Sequence, residues 1–257
     1  MTATVRTETR DKVRVIFIVR PEVRNCVDPE TSQAVDAALN EALSDDSVRA
    51  IVLAGQEQAF CTGMDLKHAA RHGVHGVMIE ERGFCGLTSR PPIEKPLIAA
   101  VNGFAFAGGF ELALACDFIV AGENARFALP EVKRGLFAGA GGIIRLTRRV
   151  PGPTALEIIM TGEPVDARRA LAFGIVNHVV PVEQTVDTAI ALAQRITENA
   201  PISVRISKKL SLAALDLAYE EAVELSGELG REMLDSADRI EGVRAFAEGR
   251  KPNWTGK

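Results

Sequence analysis

Positive charge is in the minority here: 30 Lys and Arg stand against 34 Asp and Glu, for a net charge of -4 and a pI of about 5.7. No basic footprint is present, which argues against nucleic acid as a main partner. A small anionic ligand stays open, because it needs only a local positive field. The four cysteines (Cys26, Cys61, Cys85, Cys116) lack CxxC spacing and form no dense framework. They read as reduced thiols of a cytoplasmic protein. The opening MTATVRTETR has no apolar core of a secretory signal. The uncharged stretch Pro96 to Phe110 falls short of the roughly 20 residues that a spanning helix needs, and it contains Asn102 and several glycines. No HExxH motif occurs, so His68, His72 and His75, at helical spacing, are not taken as a metal face. The glycines of Gly139 to Gly142 lack both the Gly-Lys-Ser/Thr ending and GxGxxG spacing, which weakens a nucleotide reading.

What is present is the composition of an ordinary globular chain, 47% hydrophobic and 25% charged over 257 residues. Val13 to Val19 is a β-branched strand signal, with Val5 to Thr9 placed to pair with it as a hairpin. Glu30 to Leu43 has helical spacing, and Val48 to Ala54 reads as a strand. Asp65 to about Arg82 reads as a helix with irregular, glycine-containing parts. Leu97 to Val101 reads as a strand, Gly108 to Cys116 as a helix and Phe118 to Ala121 as a strand. This alternation predicts an α/β fold. Four amphipathic segments follow: Val182 to Asn199, Pro201 to Leu217, Glu220 to Leu234 and Ala237 to Glu248. The expected division is a catalytic core over 1–198 and a helical region over 199–257.

Three segments carry chemistry. In Ala105 to Ala115, the pair Gly108-Gly109 lets a ligand approach a helix start whose free N–H groups suit a developing negative oxygen. Glu111 lies one turn in, among apolar neighbours, where a carboxylate needs a partner or takes up a proton. Taken alone, it reads equally as a complement to the helix dipole or half of an ion pair. Glu131 follows Pro130 near the start of a new element and by itself reads as an ordinary solvated glutamate. Thr62-Gly63 offers a second backbone amide, while Asp65 reads as a helix cap. Cys61 has no His and acid partner visible in sequence and reads as a buried thiol.

Together, AFCTGMDLK, KPLIAAVNGFAFAGGFELALACDFIVA, ARFALPEVKRGLFAGAGG and TGEPVDARRALAFGIVNHVV resemble the crotonase, or enoyl-CoA hydratase/isomerase, superfamily over nearly the whole chain. The resemblance implies a crotonase-like spiral of ββα units with a C-terminal helical trimerisation region, assembled as a homotrimer or homohexamer. It places Glu111 and Glu131 at the two catalytic positions and the amides of Thr62 and Gly108 at the oxyanion hole. Gly63, Met64 and Asp65 fall on the segment bordering the substrate. It implies an acyl-CoA thioester substrate, with coenzyme A part of that substrate, and no separate cofactor or metal. Hydration of a 2-enoyl-CoA is the activity it points to. Carnitinyl-CoA dehydration, double-bond isomerisation and silent acyl-CoA binding remain as alternatives. Thr62 stands where alanine is usual, Ala107 where glycine is common, and Phe137-Ala138 where many hydratases carry Ile-Pro.

Overall fold

A computed structural model describes residues 3–257. The chain opens with a hairpin, β1 (Val5–Arg10) against β2 (Val13–Ile18), then α1 (Pro29–Ser44). Asp28 caps α1 by accepting from the Thr31 amide at 2.9 Å. Next come β3 (Ala50–Gly55), β4 (Ala59–Cys61) and α2 (Leu66–His72), then the two-residue strands β5 (Met78–Ile79) and β6 (Gly83–Phe84). The helix expected over Asp65 to Arg82 therefore stops at His72. Gly73, at φ 85°, takes the turn that ends it, and the rest becomes loop and a small hairpin.

β7 (Leu97–Val101), β8 (Phe104–Phe106) and α3 (Gly108–Ala115) repeat the same order. β9 (Phe118–Gly122), β10 (Arg126–Ala128), a 3-10 turn over Pro130–Arg134 and α4 (Gly142–Arg149) repeat it again. After these come α5 (Gly152–Thr161), β11 (Val165–Asp166), α6 (Ala167–Ala172), β12 (His178–Val180) and α7 (Thr185–Thr197). The chain closes with α8 (Pro201–Ala213), α9 (Tyr219–Leu234) and α10 (Ala237–Glu248).

After the first hairpin, the pairs β3–β4, β7–β8 and β9–β10 each send their first strand to one sheet and their second to another. The larger sheet runs β1-β2-β3-β7-β9-β12, parallel except for the first hairpin, and the smaller runs β11-β10-β8-β4. The result is a spiral of ββα turns. The large sheet is covered on both faces. Ile51 and Leu53 join the interior of the spiral, whereas Ala50, Val52 and Ala54 pack with Ala189, Ile190 and Ala193 of α7. Double-sided burial is why these strands read as unbroken apolar runs.

Lys208 of α8 is a lock rather than a solvated charge. It donates to Asp117 at 2.6 Å and to the Lys95 carbonyl at 3.0 Å. Beyond α7 the helices bury little, and the expected division at 198/199 falls in the link before α8.

Candidate active site

α3 sets the centre of the site. Its residues from Gly108 to Leu114 are all buried, and its N-cap, Ala107, offers no side-chain hydrogen bond to the first-turn amides. Those amides therefore receive no capping side chain. Gly109 makes the position possible: a Cβ there would fall 1.9 Å from the Cys61 carbonyl of β4. Ala107 itself sits at φ 51°, ψ -129°, a conformation that favours glycine, so the turn into α3 holds strain. Its amide is anchored on the Ala128 carbonyl at 2.9 Å.

The second amide-bearing segment lies against the first. A Cβ on Gly63, at φ 86°, would stand 2.9 Å from the Ala107 Cβ and 3.0 Å from the Gly108 nitrogen. Thr62-Gly63 and Gly108 are therefore neighbours across the β4–β8 layer. The segment is pinned from behind, because Val27 donates to the Gly63 carbonyl and accepts from the Asp65 amide, each at 2.8 Å. The Thr62 hydroxyl donates to the Arg24 carbonyl at 3.1 Å and touches the Cys26 sulfur at 3.1 Å. That bonding directs the extra hydroxyl toward the loop after β2.

Asp65 is occupied structurally. It caps α2 through the His68 amide at 3.0 Å and pairs with Arg20 at 3.2 Å. Arg20 also pairs with Asp28, so one guanidinium ties the starts of α1 and α2 together. Met64 is half-buried against the core.

Glu111 is buried, and its Oε1 accepts from the Gly142 amide at 2.9 Å. Gly142 must be glycine for this approach, since a Cβ would meet the Glu111 Cγ at 2.9 Å. The glycine cluster is thus an amide delivered to a carboxylate. Burial pushes Glu111 up to about 7; the Gly142 amide opposes that rise, the Glu131 charge adds to it, and the Ala140 amide and Arg145 oppose it. Glu131 is half-buried on the Pro130–Arg134 turn, and burial raises its carboxyl too, against its own backbone amide and Arg134. Its Oε2 is buried without a hydrogen-bond partner. The structure therefore brings Glu111 and Glu131 within electrostatic reach of each other.

The sequence reading did not single out Asn25, Phe84 or Arg145. Buried Asn25 donates to the carbonyls of Gln56 and Ala59 at 2.9 and 2.7 Å, holding the β3–β4 loop. Phe84 closes over α3, where a Cβ on Gly108 would stand 2.8 Å from its ring. No sequence motif marks these contacts, which arise only when distant loops meet. Cys61 is pushed up to about 12 by burial, which leaves it an inert thiol. The rings of His68 and His72 lie 4.8 Å apart, tilted by 44°, but among the described residues no three metal-type ligands converge.

The profile of the enoyl-CoA hydratase/isomerase family matches residues 8–257. A carnitinyl-CoA dehydratase of Proteus mirabilis is 40% identical over the full length of both chains. An enoyl-CoA hydratase structure from Mycobacterium tuberculosis superposes with a TM-score of 0.95 at 41% identity, covering 99% of this chain and 100% of the other. A carnitinyl-CoA hydratase structure from Mycobacterium avium matches with a TM-score of 0.80 at 44% identity over all of both chains.

Proposed function

The chain belongs to the enoyl-CoA hydratase/isomerase family, and from that premise we propose that it reversibly adds water in syn fashion to a 2-enoyl-CoA, giving the 3-hydroxyacyl-CoA. The observation that carries this reading is the pairing of buried Glu111 with half-buried Glu131, each carboxyl raised by burial, with the Glu131 charge felt at Glu111. Hydration needs one carboxylate to take a proton from water and another to give one to carbon. A pair raised in this way, with Glu111 pushed up to about 7, suits both roles.

In this scheme the thioester carbonyl accepts hydrogen bonds from the amides of Thr62 and Gly108. Glu111 takes a proton from water as its oxygen bonds to C3. The electron pair of the double bond moves onto the thioester oxygen, where each amide is worth about 2.7–4 kcal/mol. Glu131 then delivers a proton to C2 as the carbonyl re-forms. Each acid–base step contributes roughly 10²–10⁴-fold. Dehydration runs the same steps backwards. Only the thioester, water and the two carboxyls exchange protons, so the scheme calls for no redox group or metal, and coenzyme A enters as part of the substrate. Gly63, Met64 and Asp65 border the substrate through backbone placement, Asp65 by holding the segment.

Dehydration of a carnitinyl-CoA is a second reading, favoured by the 40% identity of the Proteus relative of that name. It uses the same pair on a substrate bearing a quaternary ammonium. Isomerisation needs only the Glu131-type residue, so the presence of Glu111 favours water chemistry. The same pair argues against a silent acyl-CoA binder. Assay of graded 2-enoyl-CoAs beside crotonobetainyl-CoA separates these. Turnover of the plain enoyl-CoAs is expected; turnover of crotonobetainyl-CoA alone would move the reading to the second.

Assembly is part of the proposal. Tyr219, Ile240, Val243 and Phe246 of the last two helices are exposed, Phe246 by 90%. An apolar face of this kind fits a homotrimer or homohexamer.

A further inference from the structure

Arg145 lies on α4, one turn beyond the glycine that donates to Glu111. Its Nη1 donates to the Ala140 carbonyl at 3.3 Å and its Nη2 to the Thr88 carbonyl at 2.7 Å. These two carbonyls belong to the two loops that close on the site. Ala140 is in the loop whose Gly142 and Ala140 amides face Glu111. Thr88 accepts from the Phe84 amide at 2.9 Å, and Phe84 lies over Gly108. A Cβ on Gly141 would come 2.1 Å from the Arg145 guanidinium, so the side chain is threaded past that glycine to reach both loops. Among the described residues Arg145 makes no ion pair with a carboxylate. Its fork serves two carbonyls instead, a geometry that the single point charge of lysine does not reproduce.

We propose that Arg145 is a positioning residue for the Glu111 and Glu131 pair. It clamps the loop that orients Glu111 to the loop that seats Phe84 over Gly108.

This inference rests on the hydratase reading. The charged groups facing Glu111 are Glu131 from the Pro130–Arg134 turn and Arg145 from α4. The strands packed on α3 are β4, β7 and β8, which carry no charged residue. With Arg145 removed, burial and like-charged Glu131 raise the Glu111 carboxyl against the two amides alone, so it rises further.

Two variants separate clamp from charge. Arg145→Lys keeps the cation and loses the fork. The expected result is a fall in kcat of roughly 10²-fold, as for a reacting group misplaced by about 1 Å, with KM changed little and the acidic limb of the pH–rate profile unmoved. Arg145→Met loses both, and the acidic limb is expected to move to higher pH as well. Added guanidinium should restore part of the rate in Arg145→Ala. Thermal unfolding identifies any variant that fails to fold, in which case Arg145→Lys carries the test. A wild-type kcat in Arg145→Lys, or a wild-type limb in folded Arg145→Met, overturns the inference.

Carboxyl ¹³C titration of Glu111 gives a readout without turnover. A raised midpoint in Arg145→Met supports the inference, and an unmoved one contradicts it. If the wild-type enzyme turns over no enoyl-CoA or crotonobetainyl-CoA, the hydratase reading fails, while this titration still decides the role of Arg145.

Discussion

Glu111 carries an ionisation cost set by its burial. Its carboxyl is raised from 4.5 to about 7, so between those values the folded protein holds a proton that the unfolded chain has released. Stability therefore falls as pH rises through that window, and the penalty is complete above it. Glu111→Gln, which keeps an acceptor for the Gly142 amide, is expected to stabilise the protein at pH 8 by on the order of 2–3 kcal/mol. At pH 4 it should change little, a contrast that urea titrations at the two pH values would measure. The same carboxyl should give kcat/KM an acidic limb near 7. Because the Glu131 charge adds to the rise, Glu131→Gln is expected to lower the Glu111 midpoint, read by carboxyl ¹³C titration. Little of this was legible in sequence. Glu111 stood out as a charge among apolar residues, but Glu131 alone looked like a surface glutamate. The Pro130–Arg134 turn half-buries it and leaves Oε2 unpartnered, and neither fact has a local signature.

The deciding element is the start of α3, where three chain segments meet with no room to spare. Ala107 at φ 51° stands in a glycine-favouring conformation. Ala107→Gly should relieve that strain by about 1–3 kcal/mol and give back roughly 0.5–1 kcal/mol of chain entropy. A net gain of about 1 kcal/mol in urea unfolding is expected, with activity kept. Gly142→Ala should act oppositely, because its Cβ would stand 2.9 Å from the Glu111 Cγ. A loss of kcat larger than the rise in KM is expected in steady-state kinetics. Long periodic elements such as α1 and α7 were readable because their pattern repeats over several turns. The three-residue strands β4, β8 and β10 were not, since so few residues show no period. Yet these short strands form the layer that sets Thr62-Gly63 beside Gly108. The helix expected over Asp65 to Arg82 was overextended because its apolar spacing continues past Gly73, where the backbone does not.

Across the whole molecule, the ββα spiral gathers residues far apart in sequence around one carboxylate pair. Glu111 on α3, Gly142 at the head of α4 and Phe84 before β7 come together because each repeat returns the chain to the same two sheets. The α/β alternation was legible, and so was the shift to helices near the end. The two-sheet layering was not, because the central strands of the large sheet are buried on both faces and show no alternation. The exposed apolar residues of α9 and α10 belong to this scale as well. Phe246→Glu is expected to shift light-scattering mass toward the 27.6 kDa monomer, with the isolated fold retained by circular dichroism. The most direct test of the central claim is steady-state hydration of a short 2-enoyl-CoA by the wild-type enzyme, Glu111→Gln and Glu131→Gln. Turnover by the wild-type enzyme and a loss of at least roughly 10²-fold in kcat for each variant are expected. Full hydration by either variant would contradict the assignment of water handling to this pair.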